Sequence, residues 1–202
     1  MLRPEDIVRF SDTPAPPGAT PWVGDARPHR DIEIVDHDAA WSQDYAEVAD
    51  RIRGALGDRV IALDHVGSTS VPGLPAKPIV DIDLTVSDGA DEDAYVPALE
   101  AAGFVLRIRE PWWYGHRLLA ADDPRSFVHV WSPECPEPAR HLIFRDWLRA
   151  HPDDRALYLA AKRAAAAAAN AHGEHMMDYN ARKSDTIREI YGRAFRAAGL
   201  IA

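Results

Sequence analysis

The chain has 202 residues, 47% of them hydrophobic, enough to bury one substantial core in a single domain or a domain with a helical appendage. Its 32 acidic residues outnumber 23 basic ones, and a net charge of −9 speaks against a non-specific nucleic-acid or anionic-membrane binder, either of which needs a basic surface, and for a small ligand. The single cysteine, Cys135, excludes an intramolecular disulfide, and without a signal peptide or an 18-residue apolar run the chain reads as cytoplasmic.

Residues 1–28 hold Pro14, Pro16, Pro17, Gly18 and Pro21 and read as an extended or disordered arm without a catalytic group. A strand is predicted over 31–35, a helix over 39–56 and a second strand over 59–66. That strand runs into Gly67-Ser68-Thr69-Ser70. Here Gly67 permits close approach of backbone to a ligand, and Ser68 and Ser70 offer hydroxyls and N–H groups to phosphate oxygens. An ordinary turn with a serine cap has the same composition. It is not a Walker loop, because Gly73 is followed by Leu74 and no Gly-Lys-Ser/Thr occurs.

Over 79–86 the alternation puts Asp81, Asp83 and Thr85 on one face, and Val80, Ile82, Leu84 and Val86 on the other, which must pack on a core. Two carboxylates roughly 6 to 7 Å apart along a strand repel unless a cation lies between them, and Mg²⁺ (or Mn²⁺), with its preference for oxygen ligands, fits that need. Alternating acids also occur on any solvated antiparallel strand.

A helix over 91–102 ends at Gly103, and strands follow over 104–109, 115–120 and 127–131. On the last, His129 points away from Val128 and Val130 and is a candidate metal ligand, general base or phosphate contact. Trp112-Trp113-Tyr114 reads as a core or contact cluster before a base-stacking platform. Helices over 139–150 and 153–171, the latter closed by Gly173, precede a final helix over 175–198. The fold class is α/β (α+β), a mixed sheet with flanking helices, with sheet core 29–135 and helical part 136–202.

The block His65-Val66-Gly67-Ser68-Thr69-Ser70-Val71-Pro72-Gly73-Leu74, followed by Ala76-Lys77-Pro78-Ile79-Val80-Asp81-Ile82-Asp83, resembles the signature of the GrpB-like family of the nucleotidyltransferase superfamily. The likeness takes in Ile32-Glu33-Ile34-Val35, Asp38 and Trp41 upstream, then His116-Arg117-Leu118, the run from His141-Leu142-Ile143-Phe144-Arg145 to His151-Pro152, and Tyr179 with Lys183. It implies a nucleotidyltransferase-like sheet in which the turn, His65 to Ser70, holds nucleotide phosphates, while Asp81 and Asp83 hold the metal. Lys77 and Arg117 are the expected charge-neutralising partners, Arg145, Lys162 and Lys183 fall where the family motifs place basic residues, and Tyr179 and Lys183, four apart, share a helix face; all four are candidate ligand contacts. Relatives tend to carry His-x-His where this chain has Phe127 and His129. A third acid, common in such enzymes, is not evident, so His129 is expected to take its place beside the catalytic pair Asp81 and Asp83. The implied reaction is metal-dependent transfer of a nucleotidyl group from a nucleoside triphosphate to a small-molecule acceptor. The alternative is a non-catalytic module for a nucleotide or a coenzyme A-related ligand, since GrpB-like domains occur fused to dephospho-coenzyme A kinase. Neither reading involves nucleic acid or membrane, and either suits a monomer or a homodimer.

Overall fold

The computed structural model describes residues 2–11 and 13–202 and forms one mixed sheet from β1 (Ala62–Val66), β2 (Val80–Thr85), β3 (Val105–Glu110), β4 (His116–Asp122) and β5 (Arg125–Trp131). The spatial order is β1-β2-β5-β4-β3, with β2 and β5 parallel and every other pair antiparallel. β2 is therefore paired on both edges, and every one of its side chains is directed at one face or the other.

One face carries the main core. Val80, Ile82 and Leu84 of β2 meet Val128 and Val130 of β5 and Leu119 of β4, beneath α2 (Trp41–Leu56) and α3 (Val96–Ala101). Val48, Ile52 and Leu56 recur every fourth residue of α2 and so line a single buried stripe. Each such side chain withdrawn from water stabilises the fold by about 1.5 to 3 kcal/mol.

The other face carries Asp81, Asp83 and Thr85 and is met by the helical part: α4 (Pro136–Ala150), α5 (Pro152–Ala171), α6 (Met176–Arg182) and α7 (Ser184–Ala197). Val71 and Leu74, just beyond the Gly-Ser turn, join Leu148, Tyr158 and Ile190 in a second apolar cluster. That cluster fixes the helices to the turn.

The structure corrects two predicted elements. Residues 31–35 lie outside the sheet: Asp31 has φ +58°, and Val35 makes one bridge to Ala76. The side-chain amide of Asn170 replaces a strand neighbour: the Ile32 N–H donates to its Oδ1 at 2.8 Å, and its Nδ2 donates to the Ile32 carbonyl at 3.0 Å. The last helix is two, broken at Lys183 (φ −106°, ψ 0°), where the Ser184 hydroxyl donates to the Ala181 carbonyl at 2.8 Å and competes with the helical ladder.

The N-terminal arm is docked. It opens with a short helix, α1 (Pro4–Val8), and the buried guanidinium of Arg140 donates to the carbonyls of Ile7 at 2.6 Å and Asp6 at 2.7 Å. Further on, the arm pairs with β3 through Val23 N–H to Arg107 O and Arg109 N–H to Pro21 O. Among the described residues, no helix is long and apolar enough to cross a membrane.

Candidate functional site

The turn and Asp81 meet. Gly67 lies at φ +66°, and a Cβ there would stand 2.4 Å from Asp81 Oδ2 and 2.9 Å from Asp81 Cβ. Only glycine both adopts that conformation without strain and leaves room for the carboxylate. The ladder then sets Asp83 opposite Asp64 of β1 and His129 of β5, and Asp81 opposite Val66 and Phe127.

Two of the three hydroxyls of the turn brace it. The Ser70 hydroxyl donates to the Gly67 carbonyl at 2.6 Å, and the buried Thr69 hydroxyl lies 3.0 Å from His65 Nε2. Burial drives the pKa of His65 down to about 4, so the imidazole, stacked 4.7 Å from Tyr45, is neutral. Ser68 is the one half-buried hydroxyl of the three. From α4, Arg145 donates to the His65 carbonyl at 3.0 Å and pairs with Asp146 at 2.7 Å, while Arg149 donates twice to the Ser70 carbonyl at 3.1 and 2.7 Å. Arg145 thus holds the turn from behind.

The two acids differ in their surroundings. Asp83, 2% exposed, accepts from Trp131 Nε1 at 2.8 Å and faces His141 Nδ1 at 2.7 Å. Burial opposes its charge, but the neighbouring His141 outweighs that and holds its pKa below the usual carboxylate value. Burial likewise opposes protonation of His141, yet Asp83 raises its pKa to about 9, making the two an ion pair whose acid is buried and whose imidazole is half-buried. Asp81 is a third exposed, its Oδ1 3.8 Å from His129 Nε2.

Beside Asp81 the lysines gather. Lys77 Nζ lies 5.2 Å and Lys183 Nζ 4.9 Å from the centre of the Tyr179 ring, while Lys162 Nζ and Lys183 Nζ lie 5.4 and 5.9 Å from that of Tyr158. Lys162 is buried and donates to the Pro75 carbonyl at 2.7 Å. Burial, reinforced by the neighbouring lysines, lowers Lys162 to about 6 and Lys77 to about 8, with Asp81 acting in the opposite direction. Such a cluster is short of anionic charge, and a phosphate oxygen is what would relieve it.

Arg117 is not part of this cluster, a correction with a simple cause. It pairs across the ladder with Val130, on the core-facing side of the sheet, and its guanidinium donates to Glu92 at 2.8 Å. Its neighbour His116 occupies the acid-bearing face instead. His141 and Arg149, together with Tyr158, complete the surroundings without having been singled out from sequence. The spacing of His141 and Arg149 four residues either side of Arg145 along one face of α4 is the signal that identifies them.

The donor set bears on a metal as follows. Both Asp83 oxygens already receive hydrogen-bond donors, and among the described residues no group of three or more His, Cys, Asp or Glu is placed to hold an ion. Of the two strand-borne acids of β2, Asp81 is the one whose oxygens are not both engaged. One carboxylate with phosphate oxygens and water suits Mg²⁺, which keeps most of its waters, better than an all-protein cage would.

A family model described as "GrpB protein" matches residues 31–193. The chain is 45% identical over 173 residues to the UPF0157 protein BH1888 of Halalkalibacterium halodurans, covering 85% of this chain and 87% of that protein. The crystal structure of conserved protein GrpB from Enterococcus faecalis resembles it with a TM-score of 0.70 at 28% identity, covering 82% of this chain and 99% of that one. A dephospho-CoA kinase of Mycolicibacterium paratuberculosis is 32% identical over 190 residues, which is 81% of this chain and 46% of that enzyme.

Proposed function

The chain belongs to the GrpB family, and from that premise we propose that it binds the polyphosphate of a nucleoside triphosphate and transfers the nucleotidyl group to a small acceptor. One observation carries the reading: Lys77, Lys162 and Lys183, brought from a loop and two regions of the helical part, gather around Tyr158 and Tyr179 next to Asp81, which itself lies against the Gly67 turn. A polyphosphate in this pocket neutralises the lysines and takes N–H donors from the turn around Ser68. Mg²⁺ or Mn²⁺ arriving with the triphosphate would be held by Asp81, with Asp83 behind it, and would supply neutralisation of the phosphate charge. The acceptor oxygen attacks the α-phosphorus and pyrophosphate leaves, a reaction that asks the protein for positioning and electrostatics and requires no protein nucleophile.

A second reading is favoured by the engagement of Asp83 with His141 and by the likeness to a dephospho-CoA kinase. In it the same lysines hold the phosphates of a coenzyme A-related ligand without turnover. Calorimetric titration with each nucleoside triphosphate and with dephospho-coenzyme A, in magnesium and in a chelator, separates these readings when joined to a pyrophosphate assay on a metabolite pool. The transfer reading expects triphosphate binding that Lys162→Met and Lys183→Met each weaken at least about tenfold, together with pyrophosphate release. Wild-type binding no tighter than that of the two variants rejects the pocket. Tight binding without pyrophosphate rejects the transfer.

A further inference from the structure

Glu110 closes β3, His116 opens β4, and the two are ladder partners. Glu110 Oε2 stands 2.8 Å from His116 Nδ1, and His116 Nε2 stands 3.0 Å from His129 Nδ1 on β5. The remaining nitrogen of His129, Nε2, is the atom that faces Asp81 Oδ1 at 3.8 Å. His116 is only 3% exposed, its ring stacked 4.6 Å from Trp131 and met edge-on by Trp113 at 5.2 Å. Nothing in the packing of the sheet against its helices requires a carboxylate and two imidazoles in line.

The direction of the protons along this line follows from what each group is able to do. A carboxylate accepts, so His116 must present N–H at Nδ1. Burial keeps His116 neutral, with its pKa lowered to about 4, so its Nε2 has a lone pair and no proton. That lone pair requires a donor, and His129 must supply it from Nδ1. The proton of a neutral His129 is thereby fixed on the nitrogen that faces away from the pocket.

We infer that Glu110 and His116 are positioning residues that hold His129 in the Nδ1-protonated tautomer, so that Nε2 presents an unshared pair to the pocket beside Asp81. This rests on the transfer reading for its chemical use. As the acceptor oxygen bonds to the α-phosphorus and the bond from that phosphorus to the departing pyrophosphate oxygen breaks, the acceptor's hydroxyl proton passes to His129 Nε2. Phosphoryl oxygens and pyrophosphate carry the remaining charge. His129 touches the reacting atoms and is the catalytic residue of the three.

The tautomer is read directly by nitrogen NMR on the full chain labelled at histidine, at near-neutral pH. In the wild type the His129 proton is expected on Nδ1 by roughly tenfold over Nε2. His116→Phe keeps the stacked ring but offers no acceptor, and the preference is expected to fall toward parity. Glu110→Gln keeps an accepting oxygen and is expected to retain the preference, whereas Glu110→Ala loses it. Circular dichroism checks that each variant folds, and Glu110→Ala serves if His116→Phe does not. A wild-type His129 protonated on Nε2 overturns the inference, and so does a tautomer indifferent to His116→Phe or, where that variant fails to fold, to Glu110→Ala. Pyrophosphate release then tests the use: the folded variant is expected to lose at least about tenfold in kcat with KM little changed. Failure of the wild type to release pyrophosphate, with the tautomer as stated, sinks the transfer reading and leaves the positioning role standing.

Discussion

Gly67 shows how one missing atom can define a site. At φ +66° an L-side chain is strained, and the Cβ would press on the Cβ and Cγ of Asp81 as well as its oxygen, so rotating the carboxylate alone gives no relief. Gly67→Ala is expected to cost about 1 kcal/mol or more from the backbone and further from the displaced acid, lowering the melting temperature by several degrees. Triphosphate affinity, measured by calorimetry, should fall about tenfold or more, because both halves of the pocket move. Asp83 is constrained by charge instead. With His141 raised from 6.5 to about 9, the stabilisation from protonated His141 is full below pH 6.5 and fades as pH rises through 9. Asp83, with its pKa lowered, contributes above the ordinary carboxylate value and loses that share in acid. Removing His141 leaves the Asp83 carboxylate buried without its counter-charge. His141→Ala should therefore destabilise by on the order of 3 kcal/mol near neutrality, and its deficit against wild type should narrow as pH rises past 9 in chemical-denaturation series.

Elements whose information is local were legible, and those stabilised from far away were not. The alternation in β2 placed Val80, Ile82 and Leu84 on the core and Asp81 with Asp83 opposite, as observed, because a strand paired on both edges cannot rotate its pattern. Residues 31–35 have the same apolar alternation yet join no strand, since Ile32 is held by a side-chain amide 138 residues away and Val35 by one bridge to Ala76. No window around Ile32 contains that information. Arg117 and His116 are adjacent in sequence, and only the register of β4 decides which of them shares the face with the acids. The pairing of Asp83 with His141 was equally hidden, being made across 58 residues between strand and helix. Asn170 tests this view of 31–35. Asn170→Ala leaves the Ile32 N–H and carbonyl without their partners, at a cost of about 1 to 3 kcal/mol for a buried group left unpaired. Hydrogen exchange at Ile32 should accelerate while the β2 and β5 amides stay protected. Unchanged exchange at Ile32 would mean that the bridge at Val35 alone holds the segment.

Across the whole molecule, a net charge of −9 surrounds a cluster of lysines in which burial lowers the pKa of Lys77 and Lys162. That arrangement links ligand binding to protons. At physiological pH Lys162, near 6, is largely neutral and Lys77, near 8, is mostly but not fully charged, and an entering polyphosphate favours the charged form of both. Triphosphate binding between pH 6 and 8 should take up protons, seen as a dependence of calorimetric enthalpy on the ionisation enthalpy of the buffer, and Lys162→Met should reduce the uptake. The same substitution has an opposite effect on the unliganded fold. A lysine near 6 when folded and 10.5 when unfolded binds fewer protons in the native state across that interval, so it opposes folding there, and stability rises with pH toward 10.5. Losing the bond to the Pro75 carbonyl costs about 1 to 3 kcal/mol, less than several kcal/mol for withdrawing a charge from water. Lys162→Met should melt higher than wild type at pH 7 and bind triphosphate more weakly, with the gap in melting temperature closing as pH approaches 10. A variant that melts lower at neutral pH would mean that Lys162 supports the helical part structurally and is not reserved for an anion.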